Sequence, residues 1–357
     1  MVSENTQKET LKSFILKVLN GTTIAIVVAL IPNAILATFL KPFPDVQFAV
    51  EFLHIVQVFQ SFVPIMAGFL IANQFKLNPM QMVAVGGATY IGSGAWKFVP
   101  EVTIGETTKN IFLLAGIGDV INLMLTAALA VLAVKYIGGK FGSLTIVLLP
   151  IVVGTGVGYV GWKLLPYVSK ITYIIGQGIN TFTSLQPILM CMLIAVSFAL
   201  IIVSPISTVA IGLAIGLTGM SSAAAGMGVA TTAAFLVWAT ARVNKAGVPV
   251  AIGLGAMKMM MTNFLTHPIM AVPLAICAAI SSISVPLFNM GGTPASAGFG
   301  LVGFVSPLAA LNSSSISVIM LIVTWVVIPF ALGYIVNKVC CDMLHLYDKE
   351  IFIFKEQ

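Results

Sequence analysis

The carboxylate of Asp119 is the first candidate for chemistry, because it stands in the otherwise uncharged stretch GIGDVIN. A charged group deep in a bilayer is costly and by default marks a pathway or a binding site. The sequence predicts that Asp119 and Asn122 lie one turn apart, about a third of the way into a membrane-crossing helix over residues 110–135. The carboxylate could accept hydrogen bonds from solute hydroxyls or carry a proton. The alternative is a structural ion pair with Lys258 or Lys97.

A second candidate group surrounds His267, which directly precedes Pro268, where a helical hydrogen-bond ladder must loosen. The imidazole can donate or accept a proton near neutral pH. Asn263 and Thr266 stand just before it and favour a binding site, although a single histidine more often has a structural role. Lys258 could be a buried partner for an anion, or its side chain could extend to the interface.

Hydroxyl and amide groups also accompany a glycine- and proline-rich segment, Gly291–Pro307. They belong to Thr293, Ser296 and, just beyond, Asn312. The segment is apolar enough for a bilayer, but broken backbone is tolerated there only inside protein or along a hydrated cavity. Half-helix ends of this kind hold substrate in many transporters. The sequence therefore predicts a re-entrant segment at residues 289–312 that binds a polar ligand; the alternative is a packed hairpin with close-contact glycines.

Composition sets the class of protein that must position these groups. Hydrophobic residues make up 59% of the 357 residues and charged residues 8%, with a mean hydropathy of +1.07. No soluble core could bury that much apolar surface. At roughly twenty residues per crossing, the chain has room for about ten transmembrane helices. We expect an all-α polytopic membrane protein with a single embedded domain over residues 1–357.

Several shorter segments complete the predicted organisation. Residues 1–20 read as an amphipathic segment at the membrane interface, separate from a first crossing at residues 22–40. Residues 78–98 are a second candidate for re-entry, or a broken helix, and residues 100–109 read as a polar loop. Residues 338–357 read as a cytoplasmic tail. Lysines in both terminal segments place both ends in the cytoplasm.

Charge and motifs exclude several classes of function. The net charge of +6 is spread over segment ends, which indicates contact with lipid headgroups and not nucleic-acid binding. The sequence has no nucleotide-binding glycine loop, no zinc-type His/Glu pairing and no convincing serine nucleophile. The four cysteines show no metal-ligand spacing. We therefore expect no cofactor, no metal and no catalytic site within this chain.

The stretches THPIMAVP and NMGGTPASAGFGLVGFVSP resemble the membrane-embedded IIC component of sugar phosphotransferase systems, within a branch called perfringolysin regulator-like. The stretches GIGDVIN and ARVNKAGVPVAIGLGAMKMMMTNF also resemble this family. The resemblance implies a homodimer in the bacterial inner membrane, with about ten crossings per protomer and two re-entrant hairpins. It implies a sugar site that uses a histidine and a glutamate near the hairpins. His267 matches the histidine, whereas residues 291–312 contain no acid.

Three functions are compatible with these features. The leading hypothesis is a IIC-like permease that moves a small polar solute, a sugar or sugar-like molecule, by alternating access. In the phosphorylating version it would depend on separate IIB and IIA proteins, because this chain contains no phosphorylatable domain of its own. The alternatives are a membrane-embedded sensor or regulator that binds a solute without carrying it, and a transporter coupled to protons or sodium.

Overall fold

The computed structural model describes residues 10–354, except positions 41–42, 105–106, 138–139, 295 and 315. Two predicted segments extend beyond this part of the chain. Positions 1–9 of the amphipathic segment 1–20, and positions 355–357 of the tail 338–357, lie outside the described residues.

Helices dominate the described residues, and one two-stranded sheet separates the fourth helix from the fifth. Two of the long helices contain wider, π-helical turns, at Pro150–Val157, Val323–Val327 and Lys338–Met343. In chain order the elements are α1 (Leu11–Leu40), α2 (Gln47–Gln60), α3 (Val63–Gln74), α4 (Pro79–Ser93), β1 (Trp96–Ile104), β2 (Thr107–Leu114), α5 (Val120–Ile137), α6 (Gly142–Ser184), α7 (Pro187–Ile202), α8 (Thr208–Ala214), α9 (Gly219–Ala241), α10 (Gly247–Gly253), α11 (Met261–Thr266), α12 (Pro268–Leu287), α13 (Val305–Ser313) and α14 (Val318–Met343).

Five of these helices are long and apolar enough to cross a membrane, judged by length and composition within the described residues: α5, α6, α9, α12 and α14. The number rises to six if α2 and α3 together form one span. The expectation of a mostly helical membrane protein is met. The number of about ten crossings stays a prediction.

Contacts along the chain divide it into two compact units. Unit 1 comprises Met1–Ile26, Phe62–Gly118 and Asn122–Leu165. Unit 2 comprises Val27–Ser61, Asp119–Ile121 and Pro166–Gln357. The single embedded domain over residues 1–357 stays a prediction.

The N-terminal helix differs from the predicted arrangement. The sequence predicts a short interfacial helix and a separate crossing from residue 22, but α1 continues through this point without interruption. Gly21 remains helical, and a Cβ added there would lie 2.6 Å from the backbone of Ile71 on α3. The glycine therefore permits close packing between α1 and α3 and does not end a helix.

The strands β1 and β2 correct the all-helical expectation. The sequence predicts a polar loop at residues 100–109 and the start of a crossing at residue 110, but these residues form an antiparallel hairpin in which Trp96 pairs with Leu114. Valine, threonine and aromatic residues in WKFVPEVTI and TTKNIFLL suit a pleated strand. The outer edges of a two-stranded sheet carry unpaired backbone groups that hydrocarbon cannot satisfy, so the hairpin belongs outside the bilayer core.

The segment 78–98, expected to re-enter the membrane or to form a broken helix, consists of α4 followed by the first residues of β1. Asn78 and Gln81 begin the helix with two reciprocal hydrogen bonds, each 3.0 Å long, between one side chain and the other backbone N–H. Gly94 ends it in a left-handed conformation with φ of +73°. These end signals define one unbroken helix of fifteen residues.

Unit 2 is built around α9, whose residues from Ser221 to Leu236 are all buried. The helix consists largely of alanine, glycine, serine and threonine, so neighbouring backbones can approach it closely. A Cβ on Gly228 would overlap the carbonyl oxygen of Ala195 on α7. Gly333 on α14 also lies close to α9, since an added Cβ would be 2.9 Å from the Phe235 Cα. A glycine at each of these contacts therefore lets α7, α9 and α14 pack closely.

Candidate functional site

The chain between α12 and α13 contains no continuous helix, and it packs on the N-terminal half of α9. The backbone N–H of Gly219 donates to the carbonyl of Gly292 at 2.9 Å. The Thr208 hydroxyl donates to the carbonyl of Gly298, also at 2.9 Å. Gly300 has a φ of +59°, and a Cβ there would lie 2.7 Å from the Ala230 nitrogen. Protein therefore buries much of this broken backbone, as membrane depth would require.

Four hydroxyl residues meet where this segment contacts α9, and we call them the hydroxyl cluster: Ser222, Thr293, Ser296 and Ser306. The Ser222 hydroxyl donates to the Thr293 carbonyl at 2.6 Å and lies 3.3 Å from the Ser296 hydroxyl. The Ser306 hydroxyl donates to the Ser296 carbonyl at 2.7 Å. The three serines are buried, whereas Thr293 is exposed at the edge of the cluster.

The hydroxyl cluster is suited to an uncharged, hydroxylated ligand. A serine hydroxyl that donates its proton to a carbonyl still has lone pairs that accept hydrogen bonds. Neither α9 nor the sequence from residue 289 to residue 312 contains a charged residue. The cluster brings together two predicted site residues, Thr293 and Ser296. Ser222 and Ser306 are not among the predicted site residues, and the run of small residues in α9 indicates close helix packing rather than a binding site.

The structure changes the setting of Asp119. The sequence predicts this residue well inside a helix, but it lies immediately before the first residue of α5. Gly116 and Gly118 precede it with φ values of +73° and +70°, which form a turn that a helix cannot contain. The Asp119 carboxylate is half-buried and accepts a hydrogen bond from the Ser169 hydroxyl at 3.5 Å. The pair of glycines in GIGD was the signal for this position.

Asn122 is fully buried in unit 1, where its amide joins three helices. Its Nδ2 donates to the carbonyl of Gly92 on α4 at 2.5 Å and to that of Gly161 on α6 at 2.8 Å. Both glycines allow close approach, since a Cβ at either would overlap the Thr126 side chain. These contacts give Asn122 a structural role in the packing of unit 1.

His267 is exposed at the junction of α11 and α12. Its Nδ1 lies 3.0 Å from the Thr266 hydroxyl and 3.3 Å from the Asn263 carbonyl. The Thr266 hydroxyl is also exposed and donates to the Thr262 carbonyl at 2.9 Å. These contacts of the imidazole are with neighbours in the sequence, and they orient the ring at the surface of unit 2.

The Asn263 side chain points to a different partner, the C-terminal tail. Its Nδ2 donates to the carbonyls of Ile351 and Ile353 at 2.8 and 2.9 Å. Asn244 binds the same segment of the tail, because its Nδ2 donates to the Phe352 carbonyl at 2.8 Å and its Oδ1 accepts from the Phe354 N–H at 2.7 Å. We call Asn244 and Asn263 the tail clamp.

Aromatic packing reinforces the clamp. The Phe352 side chain is buried with its ring centroid 5.9 Å from that of Phe235 and 5.4 Å from that of Tyr347. Burial raises the pKa of the Tyr347 phenol, which remains protonated and can donate to the Asn337 side-chain oxygen at 3.2 Å. The tail is therefore docked through both its backbone and its side chains.

Lys258 lies in the turn Met257–Met260, and its ammonium contacts backbone oxygen atoms. It donates to the carbonyls of Ser204 and Ile206 at 2.5 and 2.9 Å. These carbonyls follow the C-terminal end of α7, where a positive charge is favoured by the helix dipole.

Asn312, the last predicted site residue, is exposed on α13. It follows Ser306 of the hydroxyl cluster by less than two helical turns along the chain.

Comparison with family models adds the decisive observation. Residues 16–354 match the model described as phosphotransferase system, EIIC. The chain belongs to the phosphotransferase system EIIC family. The match covers nearly the whole chain and confirms the resemblance seen in THPIMAVP and NMGGTPASAGFGLVGFVSP. Neither the comparison with curated proteins nor the comparison with solved structures found a match.

Membership of the EIIC family fixes the broad role of this protein. It is an integral membrane protein and a transport component of a phosphotransferase system. The family functions with IIB and IIA components and with a solute. The apolar helices of both units agree with this assignment.

Proposed function

We propose that this EIIC-family protein is a permease that moves a small, uncharged, hydroxylated solute, a sugar or sugar-like molecule, by alternating access. The observation that carries the proposal is the hydroxyl cluster. It sets buried hydroxyl and carbonyl oxygens beside a broken segment, with no charged residue in either α9 or the segment itself. Such groups satisfy a neutral polyol, whereas an ion would lose its hydration without a charged partner.

Within this proposal, Thr293 and Ser296 contact the solute directly. Thr293 is exposed and Ser296 is buried, so the two residues span the edge and the interior of the cluster. Asn312 follows on α13 and presents an exposed amide from the same segment. We assign these three residues to solute binding.

Asp119 and His267 have a separate place in the proposal. Both are accessible, one half-buried and one exposed, and both side chains can form hydrogen bonds with a solute. Asn122 and Asn263 are left out, because their amides bind backbone carbonyls of the protein itself. Lys258 is also left out as a charge partner, since its ammonium contacts two carbonyl oxygens.

We further propose that the protein works as a homodimer in a bacterial inner membrane with both termini in the cytoplasm. The segment from residue 291 to residue 312 carries no acid to match the glutamate that the family resemblance implies. We therefore infer that solute translocation in this chain does not require a carboxylate in that segment.

The test is uptake into proteoliposomes that contain the purified protein. Radiolabelled glucose, mannose, galactose, mannitol and glucitol serve as probes, with and without a pH gradient. We expect uptake of at least one probe without IIB or phosphoenolpyruvate. Uptake that requires both would show a strictly phosphorylating permease, and uptake that requires the pH gradient would show proton coupling. Saturable binding without uptake would overturn the permease proposal in favour of a sensor.

Matched variants test the site. We expect S296A to weaken binding of the transported probe, whereas S197A, a half-buried serine of α7 whose hydroxyl donates to the Leu193 carbonyl, leaves it unchanged. D119N and H267A test whether the Asp119 carboxylate and the His267 imidazole take part in solute binding. H54A replaces an exposed histidine on α2 and is the control. If neither D119N nor H267A alters binding or uptake, these two residues do not belong to the site.

A further inference from the structure

Two buried polar groups in unit 2 have no hydrogen-bond partner among the described residues. They are the indole N–H of Trp325 on α14 and the hydroxyl of Ser281 on α12, and both residues are fully buried. Neighbouring serines are satisfied, since Ser282 donates to the Ala279 carbonyl and Ser284 to the Ser281 carbonyl. A buried donor without an acceptor is costly and rare in folded proteins, so each such group requires an explanation.

The helices that carry these groups run in opposite directions. Asn263, just before α12, and Asn244, just after α9, bind the same segment of the tail. At the other end, Gly219 of α9 binds the carbonyl of Gly292, which follows α12. Helix α12 is therefore antiparallel to α9.

Helix α14 runs parallel to α9. Trp325 lies beside Gly226, and Gly333 lies beside Phe235 further along both helices. Since α12 is antiparallel to α9, it is also antiparallel to α14.

This arrangement brings Ser281 and Trp325 to a similar level of the bundle. The Cys277 sulfur lies 3.9 Å from the Leu332 carbonyl oxygen and aligns the two helices. Ser281 is one turn beyond Cys277 on the same face of α12, and Trp325 is about two turns before Leu332. Because the two helices are antiparallel, Ser281 and Trp325 are both displaced from the Cys277–Leu332 contact toward the same end of unit 2. They differ in height by roughly one helical turn or less.

The same region adjoins the hydroxyl cluster. A Cβ on Gly226 would lie 2.6 Å from the Ser306 hydroxyl and 3.2 Å from the Trp325 ring. The turn Val323–Val327 that carries Trp325 is π-helical, a widening that occurs frequently at functional sites. An unsatisfied indole N–H and a widened helix thus lie beside the hydroxyl cluster, and the unsatisfied hydroxyl of Ser281 lies at a similar level on α12.

We propose that Trp325 and Ser281 form the inner end of the solute site and donate hydrogen bonds to oxygen atoms of an uncharged polyol. This inference rests on the proposed transport of a hydroxylated solute and extends its site beyond the hydroxyl cluster. The indole supplies a donor and a flat apolar surface, and the serine supplies a donor that can also accept. Solute oxygen atoms that accept these hydrogen bonds would remove the cost of burying the two groups unpaired.

The test compares matched variants of the full-length protein. S281A removes one unsatisfied hydroxyl, and S282A removes a neighbouring hydroxyl that already has an acceptor. W325F removes the unsatisfied indole N–H, and W238F removes an N–H that donates to the Phe330 carbonyl at 2.9 Å. Binding of the same five sugars and hexitols is measured by scintillation proximity, together with the thermal unfolding midpoint of the solute-free protein.

We expect S281A and W325F to weaken binding of the preferred probe roughly tenfold, while S282A and W238F leave it unchanged. S281A should not lower the midpoint of the solute-free protein, because the hydroxyl it removes has no partner there. Monodeoxy analogues of the probe provide a second measurement that does not depend on W325F folding. The analogue that lacks the contacted hydroxyl should bind equally weakly to wild type and to S281A.

The outcomes separate this inference from the proposed function. If the wild type binds none of the five probes, the proposed function fails and this inference fails with it. If the wild type binds a probe and S281A and W325F bind it equally well, only the inference is overturned. A lower unfolding midpoint in S281A with unchanged affinity would assign the two donors to a buried water instead.

Discussion

Removing the Asn263 amide distinguishes a role in solute binding from a role in docking the C-terminal tail. In N263A, the carbonyls of Ile351 and Ile353 lose donors at 2.8 and 2.9 Å. A neutral hydrogen bond contributes about 1 kcal/mol net, so the docked tail should lose roughly 2 kcal/mol relative to its open form. That free energy corresponds to about a thirtyfold larger population of open tail.

Limited trypsin digestion measures this opening. Lys349 is exposed, but it begins the short 3-10 helix Lys349–Phe352, which is capped by Asp348 and followed by residues bound by the tail clamp. If the tail opens and closes faster than trypsin cuts, the rate of cleavage follows the open population. We therefore expect cleavage after Lys349 to be about thirtyfold faster in N263A than in the wild type.

Two control variants test whether the effect of N263A comes from the loss of tail docking. N312A removes an exposed asparagine of α13 and should leave the cleavage rate unchanged. Deleting residues 349–357 should abolish the effect of N263A on the thermal unfolding midpoint, because the partners of the amide are then absent. If N263A leaves cleavage unchanged but weakens solute binding, Asn263 belongs to the solute site and the clamp assignment is wrong.

Three further predictions test the packing and the hairpin. G228A should lower the unfolding free energy by roughly 1–3 kcal/mol, because the added Cβ overlaps α7. G247A should be tolerated, because a Cβ at that position meets no other atom. Scanning fluorimetry of both variants measures the difference in stability. N122A should destabilise unit 1 by roughly 2–4 kcal/mol in the same assay, and unchanged solute affinity in folded protein would confirm its structural role. T103C, in β1, should react with a membrane-impermeant maleimide, whereas the buried T126C should not. All four native cysteines are buried, so background labelling is low. An unreactive T103C would place the hairpin inside the bilayer or the protein.

The membrane class and the family could be predicted from the sequence. Apolar content and the near absence of charge leave no soluble fold that could bury the chain. The stretch NMGGTPASAGFGLVGFVSP carried the resemblance because glycine and proline limit what its backbone can form. Both features can be read from composition and from short stretches of sequence, and neither depends on the tertiary contacts between helices.

The sequence predicts a polar loop and the start of a helix where β1 and β2 lie, and it places Asp119 inside that helix; these predictions are wrong. An apolar run was extended back to residue 110 as a helix, although TTKNIFLL pairs with WKFVPEVTI as a strand. Strand formation depends on a partner, so the same apolar residues favour either state until the pairing is known. The left-handed glycines before Asp119 separate the strand from the helix.

The roles of the polar side chains were decided by tertiary structure alone. Asn122 and Asn263 have the residue types of a binding site, but their partners lie at least 30 positions away in the sequence and are backbone carbonyls of other elements. Ser296 and Ser222 meet only because α9 is narrow enough for the broken segment to approach it. Residue type and spacing determine which groups can form hydrogen bonds, whereas the choice between the protein's own backbone and a ligand depends on which atoms folding places opposite them.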